Sequence, residues 1–340
     1  MGTRSNKFLR TTLFAVATTL LGSTATAQLF CVFDPLGTQG DYYTMAKDYQ
    51  LAAKRWSVTI DLSVYTDDDK LDESFKAGKC DMASMIGMRA RQYNIFTGTL
   101  DAPGMLDNYA EVRDALGLMA APKLAKNMSQ GNYEVVGVLP VGAAYAVVND
   151  RHINSLGAAA GHKTPIFAWD QSQKLMAEDM HVTPVPTSLT NSATLFNKGD
   201  VDFIVAPAVL YKPMELSRGV GANGGIIRRP LFQFSMQFVS VQSKFPPAFG
   251  QQSREYFAQQ VNHGLGIIHN GEAALDQRLW IYALRSEAAT WDTAMRSIVA
   301  HMVKSEIFDK RMIGLLKRVR CKNNVDEPEC APTVQQQQLQ

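Results

Sequence analysis

Apolar and polar positions follow two rhythms along this chain, and their order spells strand, helix, strand. Residues 29–34 (LFCVFD) form a short apolar run that ends on an acid. From 41 to 56 apolar side chains recur at helical spacing, placing Tyr42, Met45, Ala46, Tyr49, Ala52 and Ala53 on one face. Asp41 serves that helix as N-cap or first-turn acid. Residues 58–65 alternate as a strand, Asp67-Asp68-Asp69 opens a second helix that closes at Ala77-Gly78, and 82–86 is a further apolar strand. Strands alternating with helices predict a parallel α/β sheet.

The pattern then recurs. Phe75, Gly78 and Asp81 share the frame F-x-x-G-x-x-D with Phe196, Gly199 and Asp202, and an apolar strand follows each copy. The phenylalanine anchors a helix end, the glycine ends it in a left-handed turn, and the aspartate leads into the strand. Upstream, the strand ending Val32-Phe33-Asp34 is matched by 166–170 (IFAWD). Two α/β units in the same order predict two similar lobes.

Between the copies, 133–139 and 143–148 read as extended segments, and 231–241 reads as a long strand. These are candidate crossings between the lobes. Residues 253–319 are helical in pattern, with breaks expected near Gly271 and Gly314, and 336–340 is a low-complexity tail expected to be disordered. The expected division is 1–27 as a signal peptide, 28–147 plus about 236–335 as lobe one with the C-terminal helices, and 148–235 as lobe two.

The signal peptide follows from Arg4, Lys7 and Arg10, an apolar run over 13–21, and the small-x-small site Ala25-Thr26-Ala27. Gln28 follows the cleavage site, where a lipid-anchored protein would have cysteine, so a periplasmic, unanchored chain is expected. Removing 1–27 leaves 31 basic against 32 acidic residues, which gives no electrostatic reason for a nucleic-acid partner. In an exported chain, four cysteines suggest two disulfides, with three possible pairings. Cys321 and Cys330 are close in sequence, and pairing them leaves Cys31 with Cys80, each at or just before a strand.

Signals for catalysis are weak. Gly219, Gly221 and Gly224 match G-x-G-x-x-G, but a helix end precedes them and a strand follows, the reverse of a dinucleotide site. The six histidines show no metal-ligand spacing, and there is no nucleophile elbow or phosphate loop. No enzyme activity, metal or cofactor is therefore expected.

The strand-Asp-loop-helix unit, the G-x-x-D turn and the crossover N-D-x-x-I-x-S-L (149–156) resemble those of periplasmic binding proteins. The long helical C-terminus most resembles the solute receptors of TRAP transporters. More narrowly, CVFDPLGTQGD (31–41), FKAGKCD (75–81), GMRARQYN (87–94), VDFIVAPA (201–208) and the terminal RCK…EC pair resemble a family of solute-binding proteins, some members of which carry an efflux-pump label. The resemblance runs from about 29 to 330 and implies a two-lobed α/β fold of the type II binding-protein kind, with a helical C-terminal extension. It also implies a hinged cleft, a small-molecule ligand and membrane transporter subunits as partners. TRAP receptors typically hold a substrate carboxylate with an arginine at the end of the second lobe's first strand. Here that place reads FAWDQ (167–171), without arginine.

Ligands of open α/β sheets bind beyond the carboxyl ends of the strands. The first lobe thus offers Asp34, Thr38, Gln39, Gly40 and Asp41 beside a helix N-terminus, then Arg89 and Arg91. The second offers Trp169, Asp170, Gln171, Pro207 and Tyr211. Asp34 and Asp170 serve equally well as turn or helix caps, and Trp169 as core. Such a set suits a polar molecule of mixed charge, an acid on Arg89, or an amine on Asp34 and Asp170. The main expectation is a binding protein that delivers a small polar solute to a transporter. The alternative is an accessory or adaptor component of an envelope efflux or sensing complex.

Overall fold

The computed structural model describes residues 1–2, 27–282, 287–324 and 330. The expected signal peptide, apart from its ends, and the tail 336–340 lie outside the described residues.

The first unit is a parallel three-stranded core. Strand β1 (Gln28–Phe33) is followed by helix α1 (Asp41–Ala53), β2 (Ile60–Tyr65), α2 (Asp68–Lys76) and β3 (Met82–Ile86). β1 lies between β2 and β3, parallel to both. The middle strand is buried and apolar from Phe30 to Phe33, as a parallel strand covered on both faces requires. α1 buries Ala46, Tyr49, Ala52 and Ala53, four of the six residues assigned to its apolar face. Its N-cap is Gly40, which leaves Asp41 in the first turn. Asp67 caps α2 by accepting from the N–H groups of Asp69 and Lys70. Cys31 and Cys80 are joined, tying β1 to the start of β3 with a Cα–Cα distance of 5.9 Å.

Three short helices follow, α3 (Gly87–Ala90), α4 (Ile95–Gly98) and α5 (Tyr109–Leu118), then β4 (Ser129–Gln130). The two extended segments expected over 133–148 form one strand, β5 (Tyr133–Val148). Pro140 lies within it, and Gly142, at φ +133°, bends it in a conformation that L side chains rarely adopt.

The second unit starts after α6 (Leu156–Ala159). It comprises β6 (Lys163–Phe167), α7 (Gln171–Asp179), β7 (Thr183–Thr187), α8 (Leu189–Lys198) and β8 (Phe203–Pro207). The repeated motif does the same work in both units. Gly78 and Gly199 take left-handed φ values of +70° and +79° at the ends of α2 and α8, over the buried rings of Phe75 and Phe196. Asp81 accepts from Leu29 N at 2.9 Å and donates its own N–H to Leu29 O. Asp202 makes the same pair of bonds with Lys163, accepting at 2.8 Å. The units then diverge. β1 ladders onto β3, whereas β6 pairs only with β7, and no ladder among the described residues joins β6 to β8.

Two strands cross between the lobes. After α9 (Ser217–Val220) and β9 (Gly225–Ile227), strand β10 (Phe232–Val241) pairs antiparallel with β3 on one side and with β5 on the other. β5 carries β8 antiparallel along its C-terminal part. One nine-stranded sheet therefore runs through both lobes. Its register slips between Phe234 and Ser235, opposite the Pro140–Gly142 bend. The glycines of the G-x-G-x-x-G stretch lie within α9 and between it and β9, as a turn.

The C-terminal helices are α10 (Phe249–Ala273), α11 (Ala288–Lys304) and α12 (Lys310–Asn323), with β11 (Trp280–Ile281) between the first two. α10 lies on β5 so closely that a Cβ at Gly137 would fall 2.0 Å from the Phe257 ring. The break expected at Gly271 falls at the end of α10, but the one expected at Gly314 does not occur. Gly314 sits inside α12, and the chain turns instead at Glu306, φ +58°, before Asp309 caps α12. A single glycine costs a helix only about 1 kcal/mol, which its buried face (Met312, Leu315, Leu316, Val319) outweighs. Residues 275–281, expected with lobe one, pack instead with the second: Leu275 and Trp280 share a core with Phe196, Ile204 and Ile226. Cys321 and Cys330 are joined. Among the described residues no helix is long and apolar enough to cross a membrane.

Candidate ligand-binding site

Asp34 directly follows β1 and is buried. Its Oδ1 accepts from Leu36 N at 2.9 Å and its Oδ2 from Tyr43 N at 3.0 Å, at the N-terminus of α1. Burial raises its pKa above the usual carboxylate range, against the lowering effect of N–H groups from Tyr43, Leu36 and Tyr42. A Cβ at Gly40 would lie 1.9 Å from Asp34 Oδ1, so only glycine lets the carboxylate close over this helix end. Asp170 has the equivalent place in the second unit, capping α7 by accepting from Ser172 N at 2.9 Å.

A cavity of about 400 Å³ opens beside Asp34, between the lobes. Its floor is the bent part of the crossing strands, Leu139 to Val141 and Phe234 to Met236. The first lobe contributes Phe33, Asp34, Tyr42, Met45 and Ile86. The second contributes Thr164 to Phe167, Met176 and Ala193, together with β8 from Phe203 to Pro207. It enters the second lobe where β6 and β8 do not pair.

The cavity gathers only part of the expected set. Asp34, Asp41 and Pro207 line it. Thr38 and Gln39 are exposed in the loop before α1, Gln171 is exposed on α7, and Tyr211 is buried in the smaller core. Gly40 shapes the loop rather than the lining.

Both arginines are occupied elsewhere. Arg89 is buried among the acids of α2: its Nε donates to Asp68 Oδ2 at 3.1 Å, Nη1 to Asp72 Oδ2 at 3.3 Å, and Nη2 to Asp68 and Asp69. Burial pulls its pKa down, but the adjoining carboxylates outweigh this and hold it above the usual guanidinium value. Its guanidinium also stacks on Trp169, 3.8 Å from the ring centroid. Arg91 Nη2 donates to Asp170 Oδ1 at 2.8 Å and to Ser172 Oγ at 2.7 Å. Arg89, Arg91, Trp169 and Asp170 thus form a polar clamp that joins the lobes outside the cavity lining. Gln173 Nε2 adds a contact to Met88 Sδ at 3.6 Å, and His301 of α11 meets Asp179 at 3.0 Å. Beneath the clamp lies Asp101, fully buried and accepting from Ser235 Oγ at 2.6 Å. Burial pushes its carboxyl up to about 7, only partly offset by Ser235 and Arg91.

Several polar residues of the lining were missed in the sequence: Thr66, Thr164, Gln173, Thr190 and Ser192. Thr164 is buried, and its Oγ1 has no hydrogen-bond partner among the described residues. Gln173 accepts from Phe167 N at 2.5 Å. Neither stands at a strand end before a loop, so neither carried a signal.

Comparison with known proteins is decisive for the family. Residues 50–335 match the profile of the family described as solute-binding protein AdeT 1/2. The chain belongs to this family. Its member named probable solute-binding protein AdeT1, from Acinetobacter baumannii, is 40% identical over 300 residues, covering 88% of this chain and 99% of that one. Among solved structures, a TRAP periplasmic solute binding protein from Haemophilus influenzae RdAW, with bound L-gulonate, superposes with a TM-score of 0.69 at 12% identity. It covers 86% of this chain and 99% of its own. One from Ralstonia eutropha H16, with bound (S)-2-acetolactate, gives 0.68 at 13% identity, covering 88% and 99%. The fold is therefore the two-lobed α/β architecture of TRAP receptors with C-terminal helices. As a member of this family the chain is a solute-binding protein rather than an enzyme.

Proposed function

We propose that this periplasmic solute-binding protein captures a small organic molecule in the cavity between its lobes and presents it, closed, to membrane transporter subunits. The observation that carries this reading is the cavity of about 400 Å³, which draws its lining from both lobes and from the strands between them. That volume is in the range of small-molecule sites. A solute there touches both lobes only when they are together, so binding favours the closed arrangement. We divide the lobes at about 148 and 236, with 275–281 returning to the second. An open cavity holding Asp34, Thr164 and Gln173 supports capture over a purely adaptor role.

The test is a thermal-shift screen of the mature chain against periplasmic extracts and a metabolite library. A solute at one hundred times its Kd stabilises the folded state by roughly 2.7 kcal/mol. The shift is expected to vanish in Ala193→Trp, which fills the lining. No solute-dependent shift, or one that persists in Ala193→Trp, would reject the reading.

A further inference from the structure

Resting on that capture reading, we propose that the solute is a largely apolar molecule bearing no negative charge, neutral or amine-bearing. Three independent observations converge on this class.

The first is the charge of the lining. Among the described residues it includes the carboxylates of Asp34 and Asp41 and no lysine, arginine or histidine. An acid entering this space would bring its charge beside a buried carboxylate with no counter-ion, and an unpaired buried charge is strongly disfavoured.

The second is that the usual anion positions are already filled. The N–H groups at the start of α1 would suit a ligand carboxylate, but Asp34 accepts from that of Tyr43, and from Leu36 in the loop before the helix. Asp34 is, in effect, an internal anion at that helix end. The nearby arginines are no freer. Arg89 holds Asp68, Asp69 and Asp72, and Arg91 holds Asp170.

The third is where the cavity goes. β6 and β8 are tied at their starts by the Asp202–Lys163 bonds and do not ladder beyond them. The cavity enters at this gap, lined by Ile166, Phe167, Met176, Met180, Phe203 and Val205. The side chains are those of a hydrophobic core, and methionine adapts to irregular apolar shapes.

The experiment is calorimetry on the mature chain with probes of one shape and different charge: 1-naphthalenemethanol, 1-naphthylmethylamine and 1-naphthoate, with succinate as a compact diacid. The alcohol or the amine is expected to bind at least ten-fold more tightly than 1-naphthoate, and succinate not at all. Met45→Arg and Met176→Arg, both half-buried on the lining, are expected to narrow or reverse that preference. Either variant that folds suffices. If 1-naphthoate binds within ten-fold of the better of the other two, or succinate binds, the ligand class is overturned while solute capture stands. If none of the four binds, the ligand class is overturned, and solute capture is then decided by the thermal-shift screen alone.

Discussion

Arg91 Nη2 and Asp170 Oδ1 lie 2.8 Å apart, with the arginine just after α3 in the first lobe and the aspartate capping α7 in the second. Both residues are buried, at 8% and 5% exposure, so the pair is a desolvated fastening between bodies that must separate to exchange solute. Ser172 Oγ completes it by bonding to both partners.

Removing one member of this pair leaves the other buried and unpaired. Arg91→Ala is expected to lower stability by roughly 3 kcal/mol in urea denaturation and to open the lobes in small-angle scattering. The double variant Arg91→Met, Asp170→Leu should be more stable than Arg91→Ala, because no charge is then stranded. A double variant less stable than Arg91→Ala would show that the pair itself contributes net stability.

Arg89 uses a planar fork for Asp68 and Asp72 while its face rests on Trp169. Lysine keeps the charge and loses both geometries. Arg89→Lys is therefore expected to cost about 2 kcal/mol in the same denaturation measurement. It should also change the emission of Trp169, readable in a variant lacking the other three tryptophans. An unchanged midpoint would mean that charge alone holds this corner.

Asp101 supplies a pH dependence. Burial holds its carboxyl at about 7 in the folded protein, above the ordinary 3.8. The folded state therefore binds this proton more tightly than the unfolded chain does. The stability it contributes is fully present below about pH 4 and is lost as pH rises through about 7, with an upper limit on the order of 4 kcal/mol. The stability of the natural chain relative to Asp101→Asn should fall across that window and level off above it. A difference that does not vary with pH would contradict the assignment.

Gly78 and Gly199 test the repeat. Both have positive φ, and a Cβ at either would meet nothing within 4 Å. The cost of alanine is then conformational alone. Gly78→Ala and Gly199→Ala should each lose roughly 1 kcal/mol, by similar amounts, in thermal denaturation. Unequal losses would show that the two turns are not equivalent.

Much of this architecture could be read in the chain because it depends on local rules. The left-handed glycines, the caps at Asp67 and Asp170, and the matched Asp81 and Asp202 act within a few residues of themselves or on the neighbouring strand. The cavity could not be read in the same way. Ile166, Phe203 and Val205 have the pattern of core strands, and only the missing ladder between β6 and β8 turns core into lining. Arg89 and Arg91 were placed correctly at the end of β3, but their partners come from α2 and α7, 17 to 81 residues away in sequence. Choosing between solute and protein carboxylates there depends on tertiary geometry that spacing does not encode.

The passage of Tyr133–Val148 through both lobes bears on how the molecule comes apart. Residues 133–144 hold β10, while 144–148 hold β8. Excising the second lobe would strip the far end of this strand of its neighbour and bare a hydrophobic edge able to recruit other chains. Neither half is thus a separable module. Melting should occur in one cooperative transition, and each lobe can swing only as far as a shared ribbon of backbone will twist.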